Sequence, residues 1–257
     1  MSSPGSTDKW AALLPAEPVR DRLRFARLEQ PRAHEYIAEQ LRREIALGLI
    51  QVGGRLPSER DLAQLFGVSR VTIQQAVNLL ESEGLLRARR GRGGGTFVTE
   101  PPPIPGGGQP MIERIRRDRV VIAEAVECRK AVEPASAAAA AALRTAADVD
   151  RLRTLHAMAQ SATDDTEFTS IDSQLHLAIA EAARNRFLLT MVETVRVVLA
   201  DTILTLPETP LWQSKSLREH ETILAAIELS DAVAARKAME VHIGHTAQSI
   251  TALLKAL

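Results

Sequence analysis

The sequence has a single cysteine, few aromatic residues and no long apolar run. Because Cys128 is alone among 257 residues, it cannot form a disulfide within the chain, and a reducing compartment is expected. No window approaches the ~20 uncharged apolar residues of a membrane helix. The opening residues, MSSPGSTDKW, lack the apolar core of a signal peptide. We therefore expect a soluble, cytoplasmic chain with no membrane partner.

Aromatic residues make up 3% of the chain, while alanine and leucine are abundant, which favours helices. The length favours two domains. The formal net charge is zero, which by itself argues against nucleic-acid binding, but the charge is unevenly distributed. Residues 1–100 hold 15 Lys and Arg against 12 Asp and Glu, and residues 101–257 hold 17 against 20. A basic front half and an acidic back half are thus hidden in the total.

Residues 55–98 have the pattern of a winged helix-turn-helix. Ser58 can cap a short helix that ends before Gly67, and Gly67 suits a left-handed turn. Ser69 can cap a second helix over 70–83. In this motif, the N-terminal residues of the second helix contact base edges in the DNA major groove.

Four polar residues at the start of that second helix are candidates for DNA contacts. Arg70 can hydrogen-bond a guanine edge, and Gln74 can hydrogen-bond an adenine edge. Ser69 and Thr72, next to the helix N-terminus, suit phosphate oxygens.

A glycine-rich hairpin is predicted after this helix, and its glycines would let the backbone approach DNA closely. It contains four arginines and no acid between residues 84 and 99: Arg87, Arg89, Arg90 and Arg92. The alternative interpretation is an ordinary helical hairpin with solvated arginines on its surface.

The predicted fold is mainly α, a winged helix-turn-helix followed by an antiparallel, all-helical bundle of about six helices. We assign residues 1–30 to a flexible extension, 31–100 to the DNA-binding domain, 101–111 to a Pro/Gly linker and 112–257 to the helical domain. The bundle helices are expected near 113–143, 147–161, 165–183, 186–205, 212–229 and 231–256.

The helical half contains a candidate metal site. Asp172 and His176 are four residues apart and share one helix face, while His220 and His242 lie on two other predicted helices. One carboxylate and three imidazoles converging in a bundle core would bind a divalent transition metal with exchangeable positions left open. From spacing alone, each histidine is also explained as an ordinary core or surface residue.

The front half resembles the DNA-binding domain of the GntR family of bacterial transcription regulators. The motifs are IAEQLRREIALG, RLPSERDLA, GVSRVTIQQAVNLLESEGLL and GRGGGTFV, within about 34–98. The resemblance implies DNA contacts from Arg60, Ser69, Arg70, Thr72, Arg90 and Gly91. Many members have arginine where this chain has Gln74, so its operator preference at that step is open.

Residues 118–254 resemble the FCD effector domain of the FadR subfamily. The marks are VECRKAVEPASAAAAAA, D-x-x-x-H before ARN, and EHETILAAIELSD. In metal-containing members the ligands match Asp172, His176, His220 and His242. Zinc is the expected ion, with nickel or another divalent ion as alternatives. His245 is not at a ligand position, and His156 and His34 are expected on the surface.

Arg129, in ECRKAVE, is the candidate effector-binding residue. The resemblance implies that its guanidinium faces the pocket and pairs with a carboxylate ligand of the metal. The alternative is a salt bridge to Glu133, one helical turn away. Asn185 is expected to be a helix cap.

The leading hypothesis is a dimeric transcription regulator, a repressor, that binds operator DNA and is controlled by a small carboxylate at the metal site. A dimer is expected because operators carry two half-sites. A second hypothesis makes the metal itself the signal. A third, a metal-dependent hydrolase tethered to DNA, is disfavoured because no further acid stands at a motif spacing for a general base.

Overall fold

The structure, a computed structural model, describes residues 33–91, 93–99, 110–206 and 210–257. The predicted N-terminal extension over 1–30 and most of the predicted linker lie outside these residues, and both stay predictions. No helix among the described residues is long and apolar enough to cross a membrane.

The front half contains three helices and a two-stranded antiparallel sheet. They are α1 (Ala33–Ala46), α2 (Glu59–Phe66), α3 (Arg70–Ser82), β1 (Leu86–Arg89) and β2 (Gly95–Val98). The strands pair from Leu86 opposite Val98 to Arg89 opposite Gly95, which forms the wing. Ser58 and Ser69 cap α2 and α3, and Gly67 adopts the left-handed conformation between them. These three predictions are confirmed.

One apolar core joins all of these elements, because each contributes its apolar face. Ile37 and Leu41 on α1 pack with Leu62 on α2 and with Ile73 and Leu80 on α3, all nearly or fully buried. The polar N-terminal face of α3 is thereby turned away from the core.

The back half is helical throughout its described residues. Its helices are α4 (Pro110–Arg117), α5 (Arg119–Leu143), α6 (Ala146–Gln160), α7 (Asp165–Ala182), α8 (Arg186–Thr205), α9 (Pro210–Glu228) and α10 (Ala232–Ala256). Six long helices, α5 to α10, thus confirm the predicted mainly α fold with its bundle. The segment predicted as one helix over 113–143 is divided at Asp118, and Pro134 lies within α5.

The bundle surrounds a central helix, α7. Thirteen of its 18 residues are buried, on more than one face. Its neighbours α5, α6, α9 and α10 share one apolar cluster with it, and small alanines on α5 allow close helix packing. A helix buried on several sides can hold polar side chains only where they find partners.

The two halves touch through the end of α1. Leu47 is buried in a small apolar cluster with Leu177, Ala180 and Val192 of α7 and α8. Next to it, the Ser170 hydroxyl donates a hydrogen bond of 2.7 Å to the carbonyl oxygen of Gly48. We call this contact of Leu47 and Gly48 with α7 and α8 the joint.

Candidate functional site

The N-terminus of α3 presents the predicted DNA-contacting residues on one surface. Ser69 caps the helix by accepting a hydrogen bond from the Thr72 backbone, and the hydroxyls of the two residues are 2.8 Å apart. Arg70 and Gln74 are exposed, and the first turn contains no acid. A helix N-terminus with no acidic residue in its first turn and with exposed polar groups suits the phosphate backbone and the base edges beside it.

The wing and α2 carry the remaining predicted DNA contacts. Arg90 and Gly91 are exposed at the turn between the strands, and Gly91 has a left-handed φ of 97°, with nothing within 4 Å of where a Cβ would lie. The Arg89 guanidinium lies 4.8 Å from the centre of the Phe97 ring. Arg60 on α2 is exposed too, 3.5 Å from Asp61.

The four predicted metal ligands meet in the core of the helical half. Asp172 and His176 come from α7, His220 from α9 and His242 from α10, and all four are buried. One potential ligand atom of each lies within 4.8 Å of the others. Residues up to 70 positions apart in the sequence are thus brought together by three helices.

The spacing of these atoms suits a small cation. Nε2 of His242 lies 3.2 Å from Nε2 of His176 and 3.3 Å from Nε2 of His220. Oδ1 of Asp172 lies 3.2 Å from Nε2 of His220 and 3.6 Å from Nε2 of His176. Tetrahedral zinc with bonds of 2.0–2.1 Å requires ligand atoms about 3.3 Å apart. These four separations are close to that value, and all the ligand atoms lie within 4.8 Å of one another, so the cluster could hold a metal ion.

Two further carboxylates orient the imidazoles. Glu133 contacts Nδ1 of His176, and Glu219 lies 2.9 Å from Nδ1 of His242. A carboxylate that accepts from Nδ1–H leaves the Nε2 lone pair free for a metal, which is the arrangement found behind many metal-bound histidines. Nδ1 of His220 is buried without a partner among the described residues.

The electrostatics favour the protonation states that a metal needs. Burial, together with the imidazole of His220, lowers the pKa of His242 to about 3. Burial also lowers the pKa of His220. Burial alone would raise the pKa of Asp172, but the Arg196 guanidinium and the nearby imidazole of His176 hold it well below its ordinary value. At neutral pH, His220 and His242 are thus neutral and Asp172 is ionised, as metal binding requires.

The pairing implied for Arg129 is corrected by the structure. Nε of Arg129 donates to Glu133 over 2.6 Å, so the local salt bridge is the one that forms. The carboxylate of Asp172 is paired with Arg196 of α8 instead, at 2.5 Å. Both arginines are buried, and Nη1 of Arg129 has no partner among the described residues.

Of the predictions for the remaining histidines and for Asn185, the one for His156 is wrong and the others agree with the structure. His156 was expected on the surface but is buried, because α6 packs it against α9, where its ring lies 6.5 Å from that of His220 and Nε2 lies 3.2 Å from Glu221. His34 is exposed. His245 contacts Glu219 at 2.6 Å and is outside the four-residue cluster. Asn185 caps α8, as predicted.

Three residues of the site were not identified from the sequence. Arg196 lies between buried apolar residues of α8, and an arginine in such a surrounding indicates a buried partner. Glu219 directly precedes a candidate ligand, and Glu133 was considered only as a partner of Arg129. None of these signals specifies which side chain each residue meets, since the partners lie on other helices.

A winged helix-turn-helix joined to an all-helical domain with a buried polar centre is the architecture of a DNA-binding regulator. Residues 33–98 match the family of bacterial regulatory proteins of the gntR type, and residues 124–245 match the FCD domain. A protein of Escherichia coli K12, named for regulation of an L-lactate dehydrogenase operon, is 31% identical over 82% of this chain and 84% of its own length. The chain belongs to the GntR family of transcription regulators and carries an FCD domain, as in the FadR subfamily. It is a regulator and not an enzyme.

Two further similarities concern the regulator assignment and the fold, respectively. RmpR of Mycobacterium gastri, named as a transcriptional regulator, is 36% identical to this chain. The aligned residues cover 58% of this chain and 54% of that protein. The solved structure of Escherichia coli McbR/YncC has a TM-score of 0.50 at 20% identity, covering 88% of this chain and 98% of that one. The second similarity concerns the fold alone.

Proposed function

We propose that the protein is a dimeric repressor that releases or binds its operator in response to a small carboxylate held at a divalent metal in the FCD domain. The convergence of Asp172, His176, His220 and His242 carries this proposal. Operator contacts are assigned to Arg60, Ser69, Arg70, Thr72, Gln74, Arg90 and Gly91.

A metal is supported by the chemistry of the ligand set. Three imidazoles and one carboxylate suit zinc, and nickel is an alternative because nitrogen ligands also bind it well. When bound, the ion supplies a Lewis-acidic position for an oxygen ligand. The chain's own residues orient the imidazoles through Glu133 and Glu219 and shield the centre from water.

An anionic effector follows from the charges around the centre. Arg129 is balanced by Glu133, and Arg196 is balanced by Asp172. A divalent ion would add two positive charges to these buried pairs, and Glu219 offsets one of them. Because uncompensated buried charge is costly, a carboxylate is favoured as the ligand. The unpartnered Nη1 of Arg129 is a donor available to it.

The chemistry of one relative points in the same direction. The Escherichia coli protein described above is named for an L-lactate dehydrogenase operon, and lactate is a small hydroxy acid. Hydroxy acids can chelate a metal through the carboxylate and the hydroxyl together, so they are the first class to test.

A dimer is proposed because winged helix proteins of this type contact two half-sites of an operator. The Pro/Gly segment predicted over residues 101–111 would join the DNA-binding domain to the effector domain. A ligand shifts DNA affinity only as far as it binds the two arrangements of these domains with different affinities.

The test is operator binding measured by fluorescence anisotropy, with a duplex selected from random sequences and the zinc-loaded protein. We expect a preference for the selected duplex over random DNA, and a change of at least fivefold in Kd with lactate or a related hydroxy acid. His220→Ala should bind the operator but lose both the zinc and the response. Operator binding that is equal for selected and random duplexes would refute the proposal.

The same experiment separates metal sensing from acid sensing. Four protein ligands can complete a tetrahedral zinc site without any effector. If removal of zinc alone releases the operator and no acid changes Kd, the metal is the signal.

A further inference from the structure

A cavity lies at the joint, and none of the four metal ligands lines it. Its walls come from the end of α1, including Ile45 and Ala46, and from Ala200 and Ile203 on α8. Hydroxyl groups of α7 complete the lining, among them that of Ser173. The cavity is therefore formed by the DNA-binding half and the effector half together.

Arg196 is the only charged residue in the described lining of this cavity. It is 2% exposed, and only its Nη2 has partners, which are Asp172 and the Ser173 hydroxyl at 2.9 Å. Nε and Nη1 are buried without an acceptor among the described residues. Buried guanidinium N–H groups are ordinarily hydrogen-bonded, so two unused donors beside a cavity indicate an acceptor that the chain itself does not provide.

The size and the remaining lining restrict the ligand. The cavity has a volume of about 120 Å³. A protein cavity of roughly 150 Å³ can hold benzene, which has six non-hydrogen atoms. Half of the lining residues are aliphatic, and the lining contains no acidic side chain among the described residues. A carboxylate is the acceptor that best matches arginine, and an unbranched alkyl chain matches the aliphatic walls.

We propose that the cavity at the joint binds a short aliphatic monocarboxylate of about four carbons, with its carboxylate on Arg196 and its alkyl chain between α1 and α8. Because this site does not use the metal, it goes beyond the proposed function. A ligand that contacts both halves stabilises the arrangement in which they touch. Arg196 also bonds Asp172, so the cavity and the metal centre share one side chain.

The experiment is isothermal titration calorimetry of the full-length, zinc-loaded protein with sodium butanoate. We expect saturable binding at one site per chain, and binding at least tenfold weaker for butan-1-ol, which has the same chain but no charge. Ala200→Leu and Ala46→Leu fill the cavity from opposite sides, and each should weaken butanoate binding at least tenfold. Ala157→Leu, at an exposed position on α6, is the matched control and should bind as the wild type does.

Binding at the metal is distinguished by His220→Ala. The proposal predicts that this variant, although it loses the zinc, still binds butanoate saturably at one site per chain. If butanoate binding is lost in His220→Ala and kept in both cavity variants, the acid sits at the metal, and the inference fails while the proposed function stands. If the wild type shows no saturable binding, or binds butan-1-ol equally well, the inference is also overturned. If Ala200→Leu or Ala46→Leu does not fold, the comparison of butanoate with butan-1-ol on the wild type still tests the proposal.

Discussion

Replacing Gly48 by alanine tests whether the joint exists in solution. Gly48 has a φ of +69°, and an added Cβ would lie 2.5 Å from Oγ, 2.7 Å from Cβ and 2.9 Å from Cα of Ser170. Gly53 offers the matched control, since its φ is +80° but nothing lies within 4 Å of an added Cβ. The two substitutions share the backbone strain and differ in the contact with α7.

The expected losses in the free energy of unfolding are the sum of the backbone strain and the overpacking against α7. A left-handed conformation costs a residue with a Cβ about 1–2 kcal/mol, and this applies to both variants. Overpacking adds typically 1–3 kcal/mol, and it applies to Gly48→Ala alone because the Ser170 backbone cannot rotate away as a flexible side chain would. Gly48→Ala should thus be destabilised by about 2–5 kcal/mol and Gly53→Ala by about 1–2 kcal/mol.

The assay is urea denaturation followed by circular dichroism, combined with amide hydrogen exchange across residues 45–52. If the joint opens instead of straining, the excess cost appears as faster exchange in this segment while the midpoint of the bundle is unchanged. Equal midpoints and equal exchange for the two variants would refute the contact between Gly48 and α7.

Three further predictions concern separate parts of the chain. Asn185→Ala removes the cap that accepts from the backbones of Phe187 and Leu188, and it should lower the free energy of unfolding by about 1 kcal/mol in thermal or urea melts; an unchanged stability would contradict the cap. Arg90→Ala should weaken binding to all duplexes alike and reduce the slope of log Kd against log salt by about 1, whereas a loss confined to one operator base would assign Arg90 to a base contact. Burial raises the pKa of Glu193, and the negative charge of Glu44 raises it further, while the positive charge of Arg43 lowers it by less. A raised carboxyl pKa makes the folded state less stable as pH rises through it, so Glu193→Gln should raise Tm at pH 7 more than at pH 4; an equal shift at both pH values would refute the raised pKa.

Much of the fold follows from local patterns. Ser58, Gly67 and Ser69 mark the helix-turn-helix because capping and left-handed turns depend on neighbouring residues alone. The bundle helices are predicted by apolar periodicity in the same way. The division at Asp118 was missed, since the segment from 113 to 143 has no glycine and its only proline lies within α5.

The metal ligands could be identified only in part from the chain itself. Asp172 and His176 share a helix face, which spacing reveals, but their meeting with His220 and His242 depends on how three helices pack. The same holds for Arg196, whose pairing with Asp172 replaced the pairing implied for Arg129. Contacts between distant helices are set by tertiary packing, and the burial of His156 against α9 was missed for the same reason.

The joint has a consequence for exchanging domains between regulators of this kind. Two consecutive residues of α7 lie at different sites. Asp172 belongs to the metal cluster, and Ser173 lines the cavity beside α1. A chimera fused within the Pro/Gly segment would bring a foreign α1 against this helix, and any residue other than glycine at the position of Gly48 would collide with Ser170. Transplanting the helical domain onto another DNA-binding domain should therefore succeed only when that domain has an apolar residue at the position of Leu47 and glycine at the position of Gly48.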